Sequence, residues 1–304
     1  MFSQDSNIVV IGAGKFAHSL VPELKKAEYK VAGIVSRDPQ SARILANKYQ
    51  ISFSSDKLKS LTKDFNIFFL TVPDDQVKKV AVKLSKLNLD FPSLLFIHVS
   101  GAMNISELKS LSKKKASVAS FHIMQTFPTK KVFDLKNCYA VIETDNKNAQ
   151  KYLLDLASKL KLRAFIIPTN QKVYYHLAGV FASNFLAGNL FAAEKLFSKN
   201  KKGGIKFFDI AKSIIYSTLT NIEKEGAAKA LSGPVERGDF ETIKKHISAL
   251  KKNPEYKDLL LSYLSQSLAL LEVSKEKNGE LSKNQKRIRK MLSGELKSLR
   301  VLLK

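Results

Sequence analysis

Two kinds of hydrophobic pattern run along this chain, and they meet near Pro168. Before that point, short apolar runs alternate with segments of helical period. After it, every strong pattern is helical. The first run, Ile8-Val9-Val10-Ile11, is wholly apolar and β-branched, the mark of a strand buried on both faces. Further strands are expected at Tyr29–Val35, Ile51–Phe53, Asn66–Pro73, Ser93–Gly101 with a polar tip, Ser117–His122, Cys138–Ile142 and Arg163–Ile167. Helical patterns fill the intervals at Pro39–Tyr49, Asp75–Leu87 and Ala149–Leu160. Such alternation predicts an α/β fold, an N-terminal Rossmann domain with a doubly wound parallel sheet, followed by an all-α C-terminal domain.

In the second half, Thr169 or Asn170 is placed to cap a helix running from Gln171 to about Phe197. Its core, His176–Ala193, is nearly as long as a membrane span. It carries His176, Asn184 and Asn189, however, and no companion span exists. The expectation is a central helix of an all-α domain, buried on most sides and suited to a subunit interface, with no membrane involved. A Lys/Gly loop at Lys199–Gly204 follows, then helices at Phe207–Glu225, Phe240–Leu250 and Glu255–Lys277. The expected domains are therefore 1–168, binding a dinucleotide, and 169–304, for substrate and dimerisation.

The first strand leads directly into Gly12-Ala13-Gly14-Lys15-Phe16-Ala17, a G-x-G-x-x-A pattern opening a helix. Gly12 permits the tight turn, Gly14 lets backbone approach a pyrophosphate, and Ala17 lets the helix lie close on the strand. A turn that binds nothing is the alternative, but strand and helix flank this one on the correct sides. The end of the second strand chooses between nicotinamide cofactors. An acid about twenty residues past the glycines would hold the ribose hydroxyls of NAD. Here Ser36 and Arg37 come first, and they suit a 2′-phosphate; NADP is preferred, while Asp38 keeps NAD open. Ligands of such sheets bind beyond the C-terminal strand ends. This adds Val72-Pro73-Asp74, His98–Gly101 and His122 to the candidates.

Composition changes the picture little. Of 304 residues, 44% are hydrophobic, enough for real cores. The single cysteine, Cys138, fits a reducing compartment, and the N-terminus lacks the basic-then-apolar pattern of a signal peptide. A cytoplasmic location is expected. The net charge of +24 is dispersed: 26 basic against 14 acidic residues up to Pro168, and 25 against 13 beyond it. Only 7 of the 51 basic residues are Arg, the preferred reader of bases and phosphates, so no specific nucleic-acid partner is expected. The basic end, Ser274–Lys304, reads as a solvated helix or a weak polyanion contact.

A dehydrogenase needs acid/base groups beside the nicotinamide. On the first helix of the second domain, Lys172, His176, Gly179 or Val180, and Ser183 or Asn184 share one face. Lys172, His176 and Asn184 are thus catalytic candidates, though each alone could be a solvated or structural residue. The turn Ser232–Asp239 offers Arg237 as a clamp for an anionic group, or merely an exposed surface turn. There is no internal repeat and no metal-ligand spacing.

Four stretches are distinctive together: His98–Ala102, Ser120–Phe127, Tyr175–Asn184 and Leu231–Asp239. In this order they resemble the Rossmann-like NADP-oxidoreductase family whose C-terminal part is the domain of unknown function 2520. The resemblance spans roughly Asn7 to Leu271. It implies an arrangement like pyrroline-5-carboxylate reductase, ketopantoate reductase and the β-hydroxyacid dehydrogenases, with a homodimer formed through helical domains. Two positions depart from pattern. His176 stands where the hydroxyacid group's Lys-x-x-x-Asn motif has Asn, and Ile123 stands where Pro is expected. The resulting expectation is hydride transfer between NADP and a small carbonyl, imine or alcohol substrate in an interdomain cleft. His176 or His122 would be acid/base, with Lys172 and Asn184 as further catalytic candidates. Ser100 and Gln125 would orient the substrate and Arg237 anchor it. The alternative is a non-enzymatic NADP-binding sensor or regulator.

Overall fold

The computed structural model describes residues 2–198 and 204–301. Nearly all of the Lys/Gly loop, and the last residues of the basic end, lie outside them. The first half runs β1 (Ile8–Ile11), α1 (Ala17–Lys26), β2 (Val31–Val35), α2 (Pro39–Lys48), β3 (Phe53–Ser55), β4 (Ile67–Leu70), α3 (Asp74–Leu84) and β5 (Leu95–His98). It continues with α4 (Lys109–Ser112), β6 (Ser117–Ile123), β7 (Tyr139–Glu143), α5 (Lys147–Lys159) and β8 (Arg163–Ile166). The eight strands form one sheet in the order β3-β2-β1-β4-β5-β6-β7-β8. All neighbours are parallel except β6 and β7, which are antiparallel. The sheet thus departs from the purely parallel expectation at one joint.

The apolar runs explain why the strands lie in the middle. Residues alternate between the two faces of a strand. Ile8 and Val10 join Ile67, Phe69 and Ile97 in a core with residues of α1, α2 and α5. Val9 and Ile11 join Phe68, Leu70 and Phe96 in a second core with α3 and α4. Burial on both faces is what an unbroken apolar strand requires. β1 has β2 on one side and β4 on the other, so the strand order reverses there and opens a crevice beyond its C-terminal end.

After a short 3₁₀ turn at Thr169–Gln171, the chain forms α6 (Lys172–Gly179), a π-helical stretch at Val180–Phe185, and α7 (Leu186–Phe197). Neither Thr169 nor Asn170 caps α6 with its side chain, because the 3₁₀ turn takes up the entry instead. The helix is not buried on most sides: Val173, Tyr174, Leu177, Phe181 and Phe185 are exposed. The chain divides into two compact units within this helix, between Leu186 and Ala187.

The second unit continues with α8 (Phe207–Glu225), α9 (Ala227–Ala230), α10 (Phe240–Lys251), α11 (Lys257–Asn278) and α12 (Lys283–Val301). Its core is made by α10, α11 and α12, through Ile243, Ile247, Leu264, Leu271, Ile288 and Leu292. The buried Gln285 side chain donates to the carbonyls of Val235 and Glu236, at 3.3 and 2.7 Å, and so fixes the turn before α10. By contrast, α8 leaves Phe208, Ile210, Ile214, Tyr216 and Leu219 exposed and buries only Ala211. No described helix is long and apolar enough to cross a membrane.

Candidate active site

The glycine turn sits at the crevice. Gly12 has φ +113°, and a Cβ there would lie 2.6 Å from the Thr71 carbonyl oxygen. Only glycine fits a turn that tight against the neighbouring strand. The Thr71 hydroxyl donates to the Gly12 carbonyl at 2.7 Å and pins the turn to the end of β4. Ala13 and Ala17 are buried, while Gly14 and Lys15 face solvent and Phe16 is half-buried. No side chain caps the N-terminus of α1. The positive end of the α1 dipole therefore lies at this solvent-facing turn, which fits a pyrophosphate. Val72, Pro73 and Asp74 line the next strand end, where Pro73 leads into α3.

At the end of β2, Ser36 is half-buried and Arg37 is exposed. Asp38 is already engaged. One carboxylate oxygen accepts from the Gln40 N–H at 3.1 Å, and the other from the Ser41 N–H at 3.2 Å and the Ser41 hydroxyl at 2.5 Å. This is the N-cap of α2, and the hydrogen bonds hold the Asp38 carboxyl below the usual carboxylate range.

The second cluster arises from register. His98 on β5 pairs with Ser120 on β6, and Ser120 pairs with Glu143 on β7. Paired residues share a face, so these three polar side chains form one row across the sheet. Lys172, the first residue of α6, lands on that row. Its ammonium bonds the Ser120 hydroxyl and lies 3.0 Å from a Glu143 carboxylate oxygen. The second Glu143 oxygen accepts from the Ile105 N–H at 3.1 Å. Lys172 and Glu143 are 1% and 2% exposed, so the pair is fully enclosed. Burial lowers the Lys172 pKa while the Glu143 charge opposes that shift. Lys172 is thus a buried anchor beneath the site.

One turn on, α6 carries Tyr175 and His176. The His122 Nδ1 lies 2.8 Å from the Tyr175 hydroxyl, and the His122 and His176 rings stand edge to face at 6.2 Å. Both imidazoles converge on Gly101. A Cβ at that position would be 2.6 Å from His176 Nδ1 and 2.8 Å from His122 Nε2. Gly101 therefore has to lack a side chain for both rings to reach the same point. Burial, then the Lys172 charge, then His176, push the His122 pKa down to about 4. The same burial and Lys172 charge push His98 down to about 3. Burial raises the Tyr175 pKa, so its phenol stays protonated and can donate to His122 Nδ1. In the tautomer in which Tyr175 donates to Nδ1, the ring proton of His122 lies on Nε2, the nitrogen nearest Gly101.

Among the remaining candidates, Ser100 is buried, and its hydroxyl accepts from the Met103 N–H at 3.0 Å. Gln125 is exposed, and its carbonyl oxygen accepts from the Thr126 N–H at 2.8 Å. Asn184 is exposed within the π-helical stretch, while Ser183 beside it is half-buried. The shared face of Lys172 and His176 assumed a regular α-helix; the π bonding pattern rotates the residues beyond Gly179 away from it. Arg237 is exposed on the turn before α10, in the second unit. The structure thus brings His122, His176 and Lys172 together and leaves Gln125 and Asn184 on the surface. Glu143 and Tyr175 were not singled out from the sequence. An acid closing an apolar strand, and an aromatic next to a candidate histidine, were the available signals.

A glycine turn at a sheet crossover, with a polar cluster at neighbouring strand ends, defines the class of Rossmann dinucleotide-binding domains. Residues 7–91 match the family model described as NADP oxidoreductase, coenzyme F420-dependent, and residues 138–267 match that of the domain of unknown function DUF2520. These are the two parts of the resemblance carried by the four sequence stretches. No match to a curated protein was found. A Bacteroides fragilis protein with a provisional NADP oxidoreductase name has TM-score 0.74 and 23% identity, over 88% of this chain and 98% of its own. A Thermotoga maritima protein has TM-score 0.65 and 23% identity, over 89% and 99%. The reductive aminase of Aspergillus terreus, in complex with NADPH and ethyl-5-oxohexanoate, has TM-score 0.59 and 10% identity, over 97% and 94%. At these identities the likeness is one of fold.

Proposed function

We propose that this chain is an NADP-dependent oxidoreductase acting on a small carbonyl, imine or alcohol substrate. The observation that carries this reading is the convergence of His122 and His176 on Gly101, two strand ends along the sheet from the glycine turn, with β4 between them. When bound, the nicotinamide would supply or accept the hydride. The protein's task is to move the accompanying proton. His176 carries that proton to or from the substrate heteroatom. His122, neutral at pH 7 and held by Tyr175, orients the pair. Lys172 and Glu143 fix the first turn of α6, on which His176 stands. A sensor protein needs no such pair, which favours the enzymatic reading. The engagement of Asp38 at the α2 N-cap favours NADP over NAD, since that carboxylate is not free for ribose hydroxyls.

The direct test is titration with NADPH and NADH, followed by coenzyme fluorescence. NADPH is expected to bind at least tenfold more tightly. Equal affinity would remove the NADP assignment, and binding of neither would remove the oxidoreductase reading.

The exposed apolar faces point to a second copy of this chain. Phe181 and Phe185 stack edge to face in the open, and α8 is apolar along its exposed length. Patches of this extent on soluble proteins mark association sites. Light scattering is expected to give twice the 34.0 kDa chain mass, falling to that mass in a Phe181→Glu/Ile214→Asp variant. A monomeric wild type at micromolar concentration would sink this expectation.

A further inference from the structure

The segment between β6 and β7 behaves as a strap across the glycine turn. Phe127 packs edge to face on Phe16 of that turn, with ring centroids 5.1 Å apart, and also on Phe133 at 5.9 Å. The Phe133 N–H donates to the buried Ser19 hydroxyl of α1 at 3.1 Å. Between these two anchors the strap carries Lys130. Its ammonium reaches the Ser41 hydroxyl in the first turn of α2, at 3.5 Å and 89 residues away in sequence. Its charge also acts on Asp38 and on His18 of α1. Two segments distant in sequence thus meet beyond β2: the stretch from Ser36 and Arg37 into the start of α2, and the strap.

We infer that Lys130 is a specificity-determining residue for NADP, joining Arg37 to hold the 2′-phosphate of the adenosine ribose. The inference rests on the NADP reading above and adds a residue that the strand-end pattern does not contain. A 2′-phosphate carries close to two negative charges, and Arg37 alone supplies one positive charge. Asp38 attracts Lys130 at this corner, but both of its carboxylate oxygens are turned into the α2 N-cap. Ser36 adds a hydroxyl donor at the same strand end, while the Ser41 hydroxyl donates to Asp38 and accepts from Lys130. The aromatic anchors at Phe127 and Phe133 keep the strap in place, so little ordering remains to be done when the phosphate arrives. The strap also gives Phe127, which the sequence grouped with the substrate motif, a role at the cofactor end.

The test compares wild type with Lys130→Met and Lys130→Arg. Each is titrated calorimetrically with NADPH, NADH, adenosine 2′,5′-bisphosphate and AMP. The last two carry no redox chemistry and report the corner directly. Lys130→Met is expected to weaken NADPH and adenosine 2′,5′-bisphosphate by about tenfold to a hundredfold, the worth of one charge-assisted hydrogen bond. NADH and AMP should stay within twofold, and Lys130→Arg should restore most of the loss. Equal weakening of all four ligands, or none, overturns the role of Lys130 while leaving the NADP reading intact if wild type still prefers NADPH. A wild type that binds neither coenzyme, or prefers NADH, overturns the NADP reading and this inference together.

Discussion

His176→Ala is expected to lower turnover by a factor of about 10²–10⁴ and to leave NADPH affinity within twofold of wild type. The magnitude is that of removing a positioned acid or base from a transition state. Two observations single out His176. It sits on α6 one turn beyond Lys172, whose enclosed ion pair with Glu143 holds the helix start against the sheet. Its partner His122 is kept neutral by burial and by Lys172, which makes it a poor proton donor near pH 7. The glycine turn belongs to β1 and α1, so the coenzyme's pyrophosphate does not depend on the imidazole. Turnover is read as NADPH oxidation with the best substrate from a screen of keto acids, imines and hydroxy acids. Unchanged turnover with that substrate removes His176 as acid/base. A parallel loss of NADPH affinity would instead make it a packing residue. Tyr175→Phe, which deletes only the hydroxyl orienting His122, is a milder control and should cost less than His176→Ala.

The strands were readable because each one is a self-contained chemical statement. Ile8-Val9-Val10-Ile11 and Ile67-Phe68-Phe69-Leu70 are apolar on both faces and are sheltered on both faces. The direction of a strand leaves no such trace, which is why the antiparallel step between β6 and β7 was not foreseen. The cofactor turn was readable for the same local reason: two glycines, an alanine, a strand before and a helix after. The other half of the site depends on register between distant strands. Glu143 meets Lys172 only because β7 places it opposite Ser120, 23 residues earlier. Asp38 shows how competing local chemistry settles an ambiguity. As a sequence letter it could cap a helix or hold a ribose, and the Pro39 that follows starts α2 and turns it into a cap. The π-helical stretch at Val180–Phe185 carries no sequence signature such as a glycine or proline within it. It is the reason a straight-helix face could align Lys172 with His176 and still misplace Asn184.

Mild acid is expected to destabilise the folded chain steeply, starting near pH 6.5. In the unfolded chain His98 and His122 protonate at the ordinary histidine pKa of about 6.5. In the folded chain they resist protonation until about pH 3 and about pH 4, chiefly because burial disfavours the charged ring and secondly because Lys172 repels it. Between these limits the unfolded state binds more protons, so stability rises with pH and is lost as pH falls. Each histidine contributes a slope approaching about 1.4 kcal/mol per pH unit, or about 2.7 for the pair. That is a large fraction of the 5–15 kcal/mol stability common to folded proteins. Urea unfolding measured at half-unit steps from pH 7 to 4.5 reads the slope directly. His122→Asn and His98→Asn should each remove about half of it, whatever they do to stability at pH 7. A wild-type profile that stays flat over this interval would mean that both rings charge freely in the folded state. The enclosed row of His98, Ser120 and Glu143 beneath Lys172 would then be open to water, and the neutral, fixed His122 that leaves proton transfer to His176 would be lost with it.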